Sequence, residues 1–278
     1  MFRLPNLLTG FNLICGILCI LFTLSGRIDI ASFLLILAMI FDFLDGFAAR
    51  MLNIKSELGQ QLDSLADLVS FGVAPGIITL VMIILGVNEA PIAIEDYNGA
   101  ASSYVYFQIQ AWQQAVFYNI PNQFDASIKF LPFVALLIPF LSMFRLAKFN
   151  LDTRQSDKFI GVPTPLNTLF LLFFPIHFCF QFTEWNLQAV WVKQIFDCYF
   201  IAGISAVFAF LLISNIPLIA LKFKTWSWSD NAFRYVFLIS SLVSILFLFL
   251  WSIPIIVFLY LLFSLIENRQ NKKHEIQS

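Results

Sequence analysis

The feature that most constrains this chain is a series of apolar runs, each near the length of a bilayer crossing. A membrane-spanning helix takes about 20 mostly apolar residues. Runs of this kind occupy 7–25, 29–51, 58–86, 129–147, 165–183, 195–214, 232–250 and 252–267. Of the 278 residues, 60 % are hydrophobic and 12 % charged, where soluble domains carry about 45–50 % and about 25 %. A soluble globular fold and a disordered chain are both excluded. The expected fold class is an all-α integral membrane protein, a bundle of about eight transmembrane helices. One membrane domain covers 1–267, followed by a polar cytoplasmic tail over 268–278. The opening segment has the apolar stretch of a signal peptide. No clear cleavage site follows it and further apolar runs do, so it reads as a first span.

Trp251, Ser252, Ile253 and Pro254 lie at the junction of the last two runs. Proline marks the break, because it lacks an amide donor and clashes with the preceding turn. Charge placement decides between seven spans and eight. With eight spans and a cytoplasmic N-terminus, one side holds Arg3, Arg50, Lys55, Arg145, Lys148, Arg154, Lys158, Lys222, Lys224, Arg234, Arg269, Lys272 and Lys273. The other side holds Arg27, Lys129 and Lys193. This asymmetry follows the positive-inside rule and puts both termini in the cytoplasm. The long 87–128 loop lacks Lys and Arg and falls on the outer side, at or near the membrane surface. The mixture of lysines and tryptophans over 222–230 marks an interfacial segment.

A net charge of −1 gives no support to nucleic-acid binding. Cys15, Cys19, Cys179 and Cys198 sit in apolar surroundings and read as small buried hydrophobes. His177 and His274 are too isolated to form a zinc cluster.

Charge inside the apolar runs is where chemistry enters. Asp42, Asp45, Asp63 and Asp67 all fall within or near membrane depth, where each charge costs about 2.5–3.5 kcal/mol. Asp42 and Asp45 share one helix face, Asp63 and Asp67 another. A short turn near 52–57 makes the two helices antiparallel neighbours, so the four carboxylates converge. Unpaired, they would repel one another. Divalent cations remove that cost, and oxygen-only ligands favour hard ions, Mg²⁺ or Mn²⁺, with calcium allowed on ligand chemistry. Gly46, Ala49 and Gly59 continue the aspartate stripes, giving either close helix packing or room for a flat ligand. Arg50 follows at the cytoplasmic edge, where a guanidinium suits phosphate oxygens bidentately. Two ions would bridge a diphosphate and stabilise a leaving group. An ion or proton pathway through the same aspartates is the alternative.

The run Asp42-Phe-Leu-Asp45-Gly46-Phe-Ala-Ala49-Arg50, then Gly59, Asp63 and Asp67 at its spacing, resembles the signature of the CDP-alcohol phosphatidyltransferases without a departure. The resemblance implies an enzyme that moves a phosphatidyl group from a CDP-linked lipid to an alcohol and releases CMP. It implies two divalent ions per site. Asp42, Asp45 and Asp63 would hold the ion on the CDP diphosphate, and Asp63 and Asp67 the second. Asp67 would be the general base, with Asp63 and Arg50 beside it in the catalytic set. Gly46, Ala49 and Gly59 would line the nucleotide pocket. The family pattern also implies a homodimer.

Further blocks, PNLLTGFNLICG at 5–16, LDSLADLVSFGVAP at 62–75, FRLAKFN at 144–150 and FIGVPTP at 159–165, resemble the serine-using branch of that family. The implied substrates are CDP-diacylglycerol and L-serine, in the cell inner membrane among its lipids. A sister activity on glycerol 3-phosphate, inositol phosphate or choline is the alternative. Arg145 and Lys148 would neutralise a lipid phosphate or the carboxylate of serine, or else act through topology alone. Thr9 and Asn12 would contact the nucleotide or bond to neighbouring helices. Gly161 and Pro163 would shape a substrate-binding turn or simply start a helix. Ser64 and Ser70 lie beside the aspartates without a base to make either a nucleophile.

Overall fold

The computed structural model describes residues 3–53, 56–87, 101–120, 124, 128–151, 159–184, 195–218 and 228–277. Helix α1 (Leu4–Leu24) opens with Pro5 in its first turn, where the missing amide costs nothing. A turn at Gly26 returns the chain into α2 (Ile28–Met51). Gly26 has φ +83° and a Cβ there would meet the Ser102 carbonyl, so glycine is required on both counts. After a second turn, Ser56 caps α3 (Glu57–Asp67) by accepting from the Gly59 amide at 3.0 Å. A π-helical turn, Leu68–Val73, then leads into α4 (Ala74–Val87). Together Glu57–Val87 form the most enclosed apolar rod of the molecule. The core gathers around α4, with Ile78, Val81, Met82, Ile83, Ile84 and Leu85 all nearly sealed from the surface.

Within the expected outer loop lies a helix, α5 (Ala101–Phe117). Its Tyr104, Val105, Ile109 and Trp112 are buried against the core, while Tyr106, Phe107 and Phe117 are exposed. A 3₁₀ turn (Leu131–Leu136) leads into α6 (Leu137–Leu151). The expected fifth span is two shorter helices, α7 (Thr164–Leu171) and α8 (Phe173–Glu184). The sixth is α9 (Cys198–Leu212), started by an Asp197 cap. Strand β1 (Phe159–Ile160) pairs antiparallel with β2 (Pro217–Leu218), joining the segment before α7 to the one after α9.

The last apolar stretch contains α10 (Trp228–Leu248) and α11 (Ser252–Gln277), joined by a 3₁₀ turn, Phe249–Trp251. The two helices fold back on each other. Phe237 packs on Tyr260 and Phe263, and Arg234 pairs with Glu267 at 3.7 Å. Two helices are thus correct for this run, but the break is not at proline. Phe249 adopts φ +47°, while Pro254 sits in the first turn of α11, where it needs no partner. The tail expected after Glu267 continues α11 as helix to Gln277.

Five stretches among the described residues are long and apolar enough to cross a membrane: Leu4–Leu24, Ile28–Met51, Glu57–Val87, Leu131–Leu151 and Asn231–Arg269. The all-α, multi-span expectation holds, and the count of about eight full-length helices does not. The regions at 165–183 and 195–214 yield helices too short for that criterion, and the last two runs fall in one 39-residue stretch that doubles back. The interfacial segment expected at 222–230 lies mostly outside the described residues.

Gly161 is the backbone pivot of the β1–α7 junction. It has φ +78°, and a Cβ would stand 2.7 Å from the Leu212 carbonyl and 2.8 Å from that of Ser214. Its amide donates to Ile216 O at 2.9 Å, and the Val162 amide to Leu211 O at 3.2 Å. Gly161→Ala is therefore expected to destabilise the protein by about 1–3 kcal/mol. Thermal unfolding in detergent checks this, and an unchanged midpoint would show that the junction relaxes around a methyl group.

Candidate active site

The site is built at one end of α1, α2 and α3. Sequence spacing makes α2 and α3 direct neighbours, but in the structure each packs chiefly on α1 rather than on the other. That arrangement leaves room between the two aspartate-bearing helices while their side chains reach across it. Asp42, Asp63 and Asp67 each bring one carboxylate oxygen to within 4.8 Å of the others. Asp67 is 9 % exposed.

Asp45 stands apart from this trio. It is 6 % exposed, and its Oδ2 accepts from the Thr9 hydroxyl at 2.5 Å. Asn12, fully buried, donates its Nδ2 to Asp67 Oδ1 at 3.2 Å. Helix α1 therefore supplies one neutral donor to each aspartate stripe. Position and polarity made Thr9 and Asn12 candidates in the sequence, and the structure assigns each a specific carboxylate.

The π-helical turn behind Asp67 is tied to its neighbours by hydrogen bonds on two sides. Ser70 Oγ donates to Asn12 O at 2.9 Å, and Thr168 Oγ1 lies 3.2 Å from Phe71 O. Gly16 permits this approach, because a Cβ there would come within 2.6 Å of Ser70 Oγ. π-turns of this kind recur at functional sites. Here the turn starts at the residue after Asp67.

A cavity of about 470 Å³ opens beside the aspartates, lined by Pro5, Asn6, Thr9, Asp45, Gly46, Ala49, Ser56, Glu57, Gly59, Gln60 and Asp63. A Cβ at Gly46 would meet nothing within 4 Å, and one at Gly59 would sit 3.0 Å from Ser56 Oγ and 3.4 Å from Asn6 Oδ1. At Gly46, side-chain absence therefore provides open space rather than a helix contact. Asn6, Ser56, Glu57 and Gln60 escape sequence reasoning. Three of them carry a readable signal: Asn6 and Gln60 stand three residues before Thr9 and Asp63 on the same helical side, and Ser56 stands where a helix cap falls.

Other expected residues lie outside the cavity lining. Arg50 is exposed in the last turn of α2, directly after Ala49. Arg145 is buried in α6, 5 % exposed. Its Nε donates to Val162 O at 3.3 Å, and its guanidinium lies 5.2 Å from the Phe149 ring centre. Lys148 is exposed and donates to Asn215 Oδ1 at 2.8 Å. Gly161 and Pro163 flank the Val162 carbonyl that holds Arg145, and Pro163 precedes α7 as its cap residue. These four form a second polar group centred on α6.

Chemically, the trio of carboxylates suits a hard cation. Ligand oxygens on opposite sides of Mg²⁺ stand roughly 4 Å apart, given about 2.0–2.1 Å per bond, so a limit of 4.8 Å needs only a small adjustment. Among the described residues the ion pairs are Arg27–Asp29 and Arg234–Glu267, neither of which neutralises the cluster. The donor set, which no ion pair among the described residues neutralises, fits one or more divalent ions, with Asp45 and Asp63 lining the adjoining cavity.

The family model for CDP-alcohol phosphatidyltransferases matches residues 2–197, a span that includes every residue of the cluster and the cavity. A CDP-diacylglycerol–serine O-phosphatidyltransferase of Helicobacter pylori (strain J99) is 28 % identical over 270 residues, covering 96 % of this chain and 91 % of that one. An enzyme of the same description from Bacillus subtilis (strain 168) is 31 % identical over 166 residues, 58 % of this chain and 69 % of the other. The archaetidylserine synthase of Methanothermobacter thermautotrophicus is 30 % identical over 166 residues, 59 % and 53 % of the two chains. The aspartate cluster, the cavity against it and the matched region coincide, and the chain belongs to the CDP-alcohol phosphatidyltransferase family.

Proposed function

We propose that this enzyme transfers the phosphatidyl group of CDP-diacylglycerol to the hydroxyl of L-serine, forming phosphatidylserine and CMP. The observation that carries the reading is the junction of the cavity with the three-carboxylate cluster, with Asp63 belonging to both. The ring and ribose of a nucleotide suit the space left by Gly46, Ala49 and Gly59, and its diphosphate belongs beside Asp42, Asp45 and Asp63. Two divalent ions, Mg²⁺ or Mn²⁺, would polarise the diphosphate when bound. Asp42, Asp45 and Asp63 would hold the first and Asp63 and Asp67 the second.

Within the chain, Asp67 accepts the proton of the attacking hydroxyl. The Asn12 amide orients its carboxylate through Oδ1. Thr9 does the same for Asp45. Arg50 clamps a phosphate oxygen from the edge of α2. Arg145 and Lys148 supply positive charge for the serine carboxylate or the lipid phosphate. Arg145 supports this role because, among the described residues, no carboxylate lies in ion-pair range of its buried guanidinium. The lipid tails stay in the bilayer. Both termini face the cytoplasm, and the working unit is a homodimer. An ion pathway through the same aspartates gives way to family membership.

Serine as acceptor rests on the relatives' activities and on the 144–150 and 159–165 blocks. The purified protein, given CDP-diacylglycerol in mixed micelles and a panel of labelled acceptors, is expected to release CMP and label lipid with serine. Labelling instead by glycerol 3-phosphate, inositol phosphate or choline would replace the acceptor and leave the reaction type in place.

A further inference from the structure

We propose that Asn150 is a positioning residue that ties the aspartate-bearing helix α3 to the end of α6. This inference rests on the transferase reading above. Three side chains form a closed ring. Gln60 Nε2 donates to Asn150 Oδ1 at 3.2 Å, and Asn150 Nδ2 donates to Ser64 Oγ at 2.8 Å. Ser64 Oγ in turn donates to the backbone carbonyl of Gln60 at 3.1 Å. Each group acts in one direction, so the ring is internally consistent: the amide gives and accepts once, and the hydroxyl does likewise.

The placement gives the ring its purpose. Gln60 and Ser64 form one stripe of α3, and Asp63 and Asp67 stand three residues beyond each, on the adjoining stripe. Gln60 also lines the cavity. Among the described residues α6 packs broadly on the π-helical turn and at most slightly on α3 outside this ring. At its end, the ring is therefore the tie between the helix carrying Arg145 and Lys148 and the helix carrying the carboxylates. A reaction between a group held on one side and a group held on the other needs that spacing kept, since misplacement of about 1 Å can cost 10²-fold in rate.

Asn150→Ala is expected to lower kcat about tenfold while the KM for CDP-diacylglycerol stays within about twofold. Ser64→Ala should do the same, Ser64→Thr should restore the rate, and the double alanine variant should be no slower than the slower single. Amide hydrogen exchange over 57–67 should rise in both alanine variants, with the thermal midpoint held. An unchanged kcat and unchanged exchange in Asn150→Ala would overturn the proposal, as would multiplied losses in the double variant. A wild-type protein that releases no CMP while Asn150→Ala still raises exchange would instead remove the transferase reading and keep the tie.

Discussion

Asp67→Asn is expected to reduce turnover by about 10²–10⁴-fold, the range contributed by a positioned general base, while nucleotide binding survives. The substitution keeps the size and shape of the side chain. On the proposed mechanism it removes the basic oxygen that would take the acceptor's proton and would weaken one ligand of the second ion. Asp67 is not among the residues lining the cavity, whose wall includes Gly46, Ala49, Gly59 and Asp63, so CDP should still bind. Turnover measured by CMP release, with CDP binding followed by calorimetry, separates the two effects. Turnover equal to wild type would remove Asp67 as the base. Loss of CDP binding in step with turnover would make it a nucleotide ligand instead.

Stripping divalent ions is expected to abolish transfer, by at least about 10³-fold, because ion-stabilised charge on the leaving group supplies several kcal/mol of the barrier lowering. The structure supports so large an effect. Three carboxylates within 4.8 Å of one another form a poor site for a diphosphate unless cations intervene, since the two carry the same sign. Treatment with a chelator, removal of the chelate and titration with Mg²⁺ or Mn²⁺ should return activity along a saturable curve. Asp42→Ala should shift that curve to higher metal concentration. Full activity in metal-free buffer would sink the ion-dependent mechanism and leave the carboxylates to acid–base roles alone.

Much of the site is legible in residue order because helices repeat. Asp42 with Asp45 and Asp63 with Asp67 must share faces at spacings of three and four, and membrane depth makes their charge conspicuous. The trio in the structure follows from that pattern. What spacing cannot convey is which helix stands behind each carboxylate. The expected direct packing of α2 on α3 is replaced by a shared neighbour, α1, and Thr9 and Asn12 acquire their partners through that three-body arrangement. Asp45, beside the trio, likewise has a partner on that third helix, the Thr9 hydroxyl.

The fold shows a parallel limit. Apolar runs mark helices well, but they do not report a break that has no breaker residue. Phe249 turns the last stretch back without glycine or proline at the bend, while the nearby Pro254 sits harmlessly in a first turn. Likewise, α5 hides in a segment whose polarity suggests a loop: Ser103, Gln110, Gln113 and Gln114 are exposed, while Tyr104, Gln108, Ile109 and Trp112 are buried.

The π-helical turn at Leu68–Val73 has a consequence for comparing this chain with others. Such a turn winds extra backbone into a space that an α-helix would fill with fewer residues. One residue fewer there would restore regular winding and keep the downstream phase, whereas a deletion in the regular helix on either side would rotate everything downstream by about 100°. Upstream, the aspartates are pinned by the ligand site; downstream, the greasy flank of α4 is pinned by its neighbours. Length differences between homologous chains in this rod therefore belong inside 68–73, where one residue can be gained or lost without disturbing the phase on either side.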